Sequence, residues 1–123
     1  MKKGGDNWNF ETLIIKMGIY EIGGVQMPTY MTLVKYTQKG VENMKDSPNR
    51  LDVAKELFKS MGGELKSFYL AMGRYDAVVI SEGPDDETAT KLALTIGAAG
   101  AIRTETFRVF PEDKYRKIIS ELP

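Results

Sequence analysis

Two apolar runs, Leu65 to Met72 and Tyr75 to Glu82, are separated only by Gly73 and Arg74. Each run has the length of a strand. A link this short cannot carry a crossover, so the two runs predict an antiparallel hairpin.

The flanking patterns extend this core. Tyr30 to Tyr36, rich in β-branched and aromatic residues, predicts a first strand. Thr37 is placed to cap a short helical turn bearing Val41 and Met44. Ser47-Pro48 then predicts a helix start, with Ser47 as cap and Pro48 in the first turn. Leu51, Ala54, Phe58 and Met61 recur at helical spacing until Gly62-Gly63. After the hairpin, the acids Asp85, Asp86 and Glu87 favour the positive end of a second helix, with Ala89, Leu92, Ala93 and Ile96 as its buried stripe. Gly97 and Gly100 bracket its end. Ile102 to Phe110 predicts a fourth strand, and Pro111 opens a last helix expected to bury Tyr115, Ile118, Ile119 and Leu122.

The predicted fold is therefore α+β: a ferredoxin-like βαββαβ order, a four-stranded antiparallel sheet with two helices on one face, plus a C-terminal helix. Strand two carries Leu65, Phe68, Leu70 and Met72, and strand three carries Val78, Val79 and Ile80. Apolar residues thus fall on both pleat faces, while helices cover one. A second copy of the sheet is the economical cover for the other face, giving a homodimeric α/β barrel with an interior cavity.

Residues 1–26 read differently, with two Gly-Gly pairs and only a brief apolar run. They are expected to be an extension of the 27–123 domain: a translated leader, a flexible arm, or an arm docking through Trp8, Phe10 and Ile14.

The chain of 123 residues contains neither cysteine nor histidine. Disulfides, thiolate nucleophiles, thiolate zinc sites and iron–sulfur clusters are thereby excluded. The commonest general base at neutral pH is missing too. No carboxylate loop has the spacing of a calcium or magnesium site, so neither metal nor cofactor is expected. Seventeen basic side chains balance seventeen acidic ones, so no global field draws in nucleic acid or an anionic membrane. RNA-recognition motifs share this topology, but their third strand carries a second aromatic that Met72 to Val78 lacks. No nucleic acid, no membrane and a cytoplasmic location are the expectations.

Several segments together resemble the GYD domain family. These are Met27-Pro28-Thr29-Tyr30, Lys45-Asp46-Ser47-Pro48, Gly62 to Tyr69, Gly73-Arg74-Tyr75-Asp76, Pro84 to Glu87 and Arg103 to Thr106. The Gly, Tyr and Asp of the family's name stand here as Gly73, Tyr75 and Asp76. The resemblance covers about residues 27–110 and implies a dimeric α/β-barrel version of the ferredoxin-like fold, with no established activity.

Candidate site residues cluster on the hairpin and on strand four. Asp76 is the candidate general base or anion partner, with Arg74 and Tyr75 orienting a ligand. The structural alternative gives Asp76 to backbone amides, with Arg74 solvated or ion-paired. On strand four, the weight of Phe107 and Val109 predicts that they face the helices, leaving Thr104, Thr106 and Arg108 to line the dimer cavity or a polar seam. Tyr30, Tyr36 and Tyr69 are candidate cavity walls, although strand aromatics serve more often as core. The acids 85–87 resemble a metal cluster, but at a helix start they serve better as cap and dipole partners. The leading functional expectation is a small organic ligand held in a cavity between or beneath the sheets. Cofactor-free catalysis on that ligand would use Asp76 as base, positioned by Tyr69, Tyr75 and Arg108. The alternative is a non-enzymatic structural or regulatory oligomerisation module.

Overall fold

The computed structural model describes residues 27–123, and the predicted arm with Trp8, Phe10 and Ile14 lies outside them. The described elements are β1 (Thr29–Tyr36), α1 (Gln38–Glu42), a 3₁₀ turn (Met44–Asp46), α2 (Ser47–Ser60), β2 (Glu64–Leu70), β3 (Ala77–Glu82), α3 (Asp86–Ala98), β4 (Ile102–Val109) and α4 (Glu112–Ser120). The sheet runs β2-β3-β1-β4, and every neighbouring pair is antiparallel. This is the expected α+β ferredoxin-like arrangement with an added C-terminal helix.

Local chemistry explains the boundaries. Thr37 sits in extended backbone and its hydroxyl accepts the Gly40 amide at 3.2 Å, starting α1 as anticipated. Gly40 is buried against the start of β4, and a Cβ there would overlap the carbonyl oxygen of Ala101. Ser47 is not a cap. The 3₁₀ turn runs straight into α2, Ser47 has helical dihedrals and its amide donates to the Met44 carbonyl, so no uncapped start exists for its hydroxyl to serve. Asp85 caps α3 by accepting the Thr88 amide at 2.8 Å, and that bond holds its carboxyl below its usual range.

The hairpin is antiparallel, but its link runs from Ala71 to Asp76 rather than through Gly73-Arg74 alone. The cause is β1. The Asp76 amide donates to the Val34 carbonyl at 2.8 Å, and the Ala71 amide donates to the Asp76 carbonyl at 2.9 Å. The strand ends are drawn into a wider loop, which Gly73 turns at φ +104°, a backbone region that favours glycine.

A bulge between Leu65 and Ser67 decides which side chains β2 sends to each face. One extra residue restores the alternation so that Leu65, Phe68 and Leu70 all lie opposite helix-facing positions of β3. The apolar residues of β2 are therefore mostly on one face, not both. The opposite face is still apolar: Met31 and Leu33 of β1, Val78 and Ile80 of β3, and Phe107 and Val109 of β4 share it by register. Among the described residues, α2 and α3 both pack on the other side, α2 over β2 and α3 over β4.

The last helix departs from expectation. Tyr115, Ile118, Ile119 and Leu122 are 40–61% exposed rather than buried. Among the described residues α2 and α3 take both positions over the helix-covered face, which leaves no third place there for α4.

Candidate functional site

The two layers do not close on each other. The buried hydrophobic residues are Tyr30, Val34, Phe58, Ala77, Val79, Leu92 and Ala101, and among the described residues no large side chain is fully buried. Leu51, Leu57, Leu65, Phe68, Ile96 and Ile102 remain only half-buried. Between α2, α3 and the sheet lies a cleft of about 600 Å³ with a predominantly apolar wall.

Its floor follows from strand alternation. Tyr30, Thr32, Val34 and Tyr36 of β1 point into it, with Val79 and Ser81 of β3 and Thr104 and Thr106 of β4. The strand-four expectation is thus reversed: Thr104, Thr106 and Arg108 share the helix-facing register, while Phe107 and Val109 share the open face. Apolar weight misled because the open face is apolar as well. The Thr106 and Thr32 hydroxyls hydrogen-bond each other at 2.9 Å across the floor, so two polar groups are satisfied without water.

Polar groups gather at the two ends. At the β1 start, the Tyr30 hydroxyl donates to Asp86 Oδ1 at 2.5 Å, and Arg108 Nη1 lies 3.6 Å from the same oxygen. The Arg108 guanidinium also sits over the rings of Tyr30 and Phe110, 6.0 and 5.5 Å from their centroids. Burial first, then the hydrogen bond and charge of Asp86, push the Tyr30 phenol up to about 12. Ultraviolet titration is expected to show one tyrosine ionising near pH 12, and Asp86→Asn to lower that midpoint while burial keeps it above 10. The folded-state value is the raised one. Stability from this group is therefore complete below pH 10 and lost as pH rises through about 12.

At the β1 end nearer Tyr36, Arg50 borders the cleft from the first turns of α2. Its Nη1 donates to the Asn43 carbonyl at 3.0 Å and lies 3.9 Å from Asp46 Oδ2. Its Nη2 is sealed from solvent and has no hydrogen-bond partner among the described residues. Sequence reasoning missed Arg50. The available signal was an arginine standing on the same helical stripe as Ala54, Leu57 and Met61.

The hairpin candidates do not join this site. Asp76 Oδ2 accepts the Tyr36 amide at 2.9 Å, which ties the hairpin loop to the end of β1. The Tyr75 hydroxyl donates to Glu105 Oε1 at 2.9 Å, on the open-face register, and that bond is the main reason its phenol is raised. Tyr69 is 62% exposed and paired with Val78 on the open face, and Arg74 is exposed on the loop. The structure therefore brings Thr104 and Thr106 to the cleft with Tyr30 and Tyr36, sets Arg108 beside Tyr30 and Asp86 but not in the cleft lining, and leaves Tyr69, Arg74, Tyr75 and Asp76 outside it. Of the acids 85–87, Asp85 caps the helix, Asp86 meets Tyr30 and Arg108, and Glu87 pairs with Lys91 at 3.5 Å. Among the described residues no group of three or more carboxylates is poised around a metal position, and no helix is long and apolar enough to cross a membrane.

Comparison with known proteins places this architecture. The sequence profile of the GYD domain matches residues 30–119. A Thermus thermophilus protein named glutamine synthetase and cystathionine beta-lyase binding protein is 30% identical over 86 residues, covering 69% of this chain and 90% of its own length. Among solved structures, a feast or famine regulatory protein from M. tuberculosis, complexed with L-methionine, superposes with a TM-score of 0.57 at 14% identity. That match covers 78% of this chain and 58% of the regulator, so the present chain spans less than two-thirds of it. An AsnC family transcriptional regulator from Agrobacterium tumefaciens gives a TM-score of 0.51 at 17% identity, over 93% of this chain and 69% of its own. At such identities the two regulators speak for the fold alone. The ordered motifs, the ferredoxin-like sheet and the profile match over most of the described residues together make this chain a member of the GYD domain family.

Proposed function

We propose that this chain is a cytoplasmic, non-catalytic binding protein that takes a small, largely apolar organic molecule between its sheet and helices. The observation that carries the reading is the cleft of about 600 Å³, within the range of small-molecule sites and lined mainly by side chains left half-buried. Thr104 and Thr106 form part of its floor with Tyr30, whose hydroxyl is held by Asp86. Catalysis has no support in this arrangement, because the Asp76 carboxylate is engaged by the Tyr36 amide away from the cleft. Tyr69, Arg74 and Tyr75 belong in this reading to the open face and its edge.

The test is dye binding with and without the cleft. The full chain is expected to bind 1-anilinonaphthalene-8-sulfonate saturably while unfolding cooperatively, which separates a folded site from a loosened core. Ala93→Phe, which projects a ring into the cleft from α3, is expected to lower that binding at least tenfold with the fold retained. Unchanged dye binding in a folded Ala93→Phe chain would sink the reading.

A second reading concerns partners. The open face carrying Met31, Leu33, Val78, Ile80 and Phe107 suits a second copy of this chain, which makes a homodimer the natural assembly. The exposed stripe of α4 then remains for a protein target, and the name of the Thermus relative favours an enzyme of amino-acid metabolism such as glutamine synthetase. Co-sedimentation of the purified chain with glutamine synthetase, lost on Ile118→Glu, is the expected result.

A further inference from the structure

We infer that the ligand of this cleft is an uncharged apolar molecule with one carbonyl or hydroxyl oxygen, anchored by the Ser81 hydroxyl. The inference rests on the cleft reading above and adds the chemistry of the head group. Two observations meet at Ser81. It is a polar residue only 3% exposed, and its side chain lines the cleft. Its neighbours across the strands are Tyr30 and Leu65. The Tyr30 hydroxyl already donates to Asp86, and among the described residues the Ser81 hydroxyl joins none of the hydrogen bonds that link separate elements. A hydroxyl withdrawn from bulk water without a partner costs free energy, which a ligand oxygen would restore as acceptor or donor. Unlike Arg50 Nη2, it is not a sealed atom.

The charges around the cleft set the class. Among the described residues, Arg50 and Glu82 are the charged members of its lining. Arg50 has no free donor for a ligand: Nη1 donates to the Asn43 carbonyl, Asp46 lies 3.9 Å away, and Nη2 is sealed. Glu82 pairs with Thr29, two residues on from Ile80, so its carboxylate belongs by alternation to the open face. Near Tyr30, Asp86 is engaged by the Tyr30 hydroxyl and by Arg108. A carboxylate or an ammonium brought inside would therefore lose water without gaining a counter-charge. A sugar fits no better. Thr32 and Thr106 already satisfy each other, and Leu65, Phe68 and Val79 would face unmatched hydroxyls. A single oxygen at Ser81, with hydrocarbon over Val34, Phe68 and Val79, leaves no polar group stranded.

Titration calorimetry of the full-length protein with compact probes of one body tests this: 1-adamantanol, 2-adamantanone, adamantane-1-carboxylate and 1-adamantylammonium. The rings of the dye used above can enter with its sulfonate left in solvent, whereas the short adamantyl cage carries its head group inside. The alcohol and the ketone are expected to bind about tenfold tighter than either ion. Ser81→Ala, which removes the hydroxyl at nearly constant volume, is expected to weaken the alcohol and the ketone about tenfold and to leave the ions unchanged. The same variant is expected to keep or raise the melting temperature without ligand, because no protein partner is lost. A fall in that temperature, an ion binding as tightly as the alcohol, or unchanged alcohol and ketone binding in Ser81→Ala overturns the head-group assignment. So does a failure of the alcohol and the ketone to bind. The cleft reading is judged separately, by the dye and Ala93→Phe.

Discussion

The natural sequence is expected to sediment as a dimer, and an Ile80→Lys chain as a monomer at the same concentrations. Ile80 lies on β3, an inner strand, opposite Met31 of β1 on one side and Ser67 of β2 on the other. Its neighbours on the same face are Val78, Leu33 and, through β1, Phe107. In a twofold sheet-to-sheet dimer a residue at this place meets the partner's same surface, so one substitution enters the interface twice. Two ammonium groups brought into a dry apolar seam cost several kcal/mol in desolvation and mutual repulsion. That is about a thousandfold in the dissociation constant. Leu94→Lys is the control: Leu94 is 69% exposed on α3, remote from the open face, and its replacement is expected to leave the dimer unchanged. Sedimentation velocity over a concentration series reads both. A natural sequence that stays monomeric throughout would remove the second copy as the cover of this face.

Asp76→Ala is expected to destabilise the fold by about 2–3 kcal/mol, the scale of a lost hydrogen bond to a charged group with a donor left unmatched. The carboxylate accepts the Tyr36 amide at the point where β1 ends, while the amide of the same residue donates to the Val34 carbonyl. One residue therefore clamps the hairpin loop to β1 through both backbone and side chain. Asp76→Asn keeps an acceptor oxygen and is expected to cost about 1 kcal/mol. Urea denaturation measures the difference. The folded fraction of either variant is expected to bind cleft ligands with unchanged affinity, since Asp76 is not part of the cleft lining. A stable Asp76→Ala chain that had lost ligand binding would return Asp76 to the role of a site residue.

Much of the architecture was legible because it rests on local rules. The Thr37 cap, the helical stripe of α2, the acidic start of α3 and the alternation of β1 each declare an element within a few residues of chain. The GYD motif was legible too, but its meaning was not. Gly73, Tyr75 and Asp76 look like a site because they put reactive groups at a bend. In the structure Gly73 supplies a positive φ, Tyr75 meets Glu105 and Asp76 holds β1.

Local pattern failed wherever one residue's neighbour was decided far away in the chain. The bulge after Leu65 put Leu65, Phe68 and Leu70 of β2 on a single face, and no composition of β2 announces which residue will be the extra one. Phe107 and Thr106 exchanged their anticipated sides because both faces of this sheet are apolar, which removes the signal that usually sets register. The stripe of α4 reads as core by periodicity, yet among the described residues α2 and α3 already occupy the helix-covered face.

The amino-acid sequence by itself determined the order of elements, the antiparallel hairpin, the want of thiol and imidazole chemistry, and the family. Tertiary structure alone decided that Thr104 and Thr106 look toward the helices, that Arg50 borders an apolar cleft, and that Asp76 serves the backbone. The physical reason is range. Caps, periodicities and turns act over one or two turns of chain, whereas burial and unmatched hydrogen-bond donors are set by groups brought together only when the layers pack.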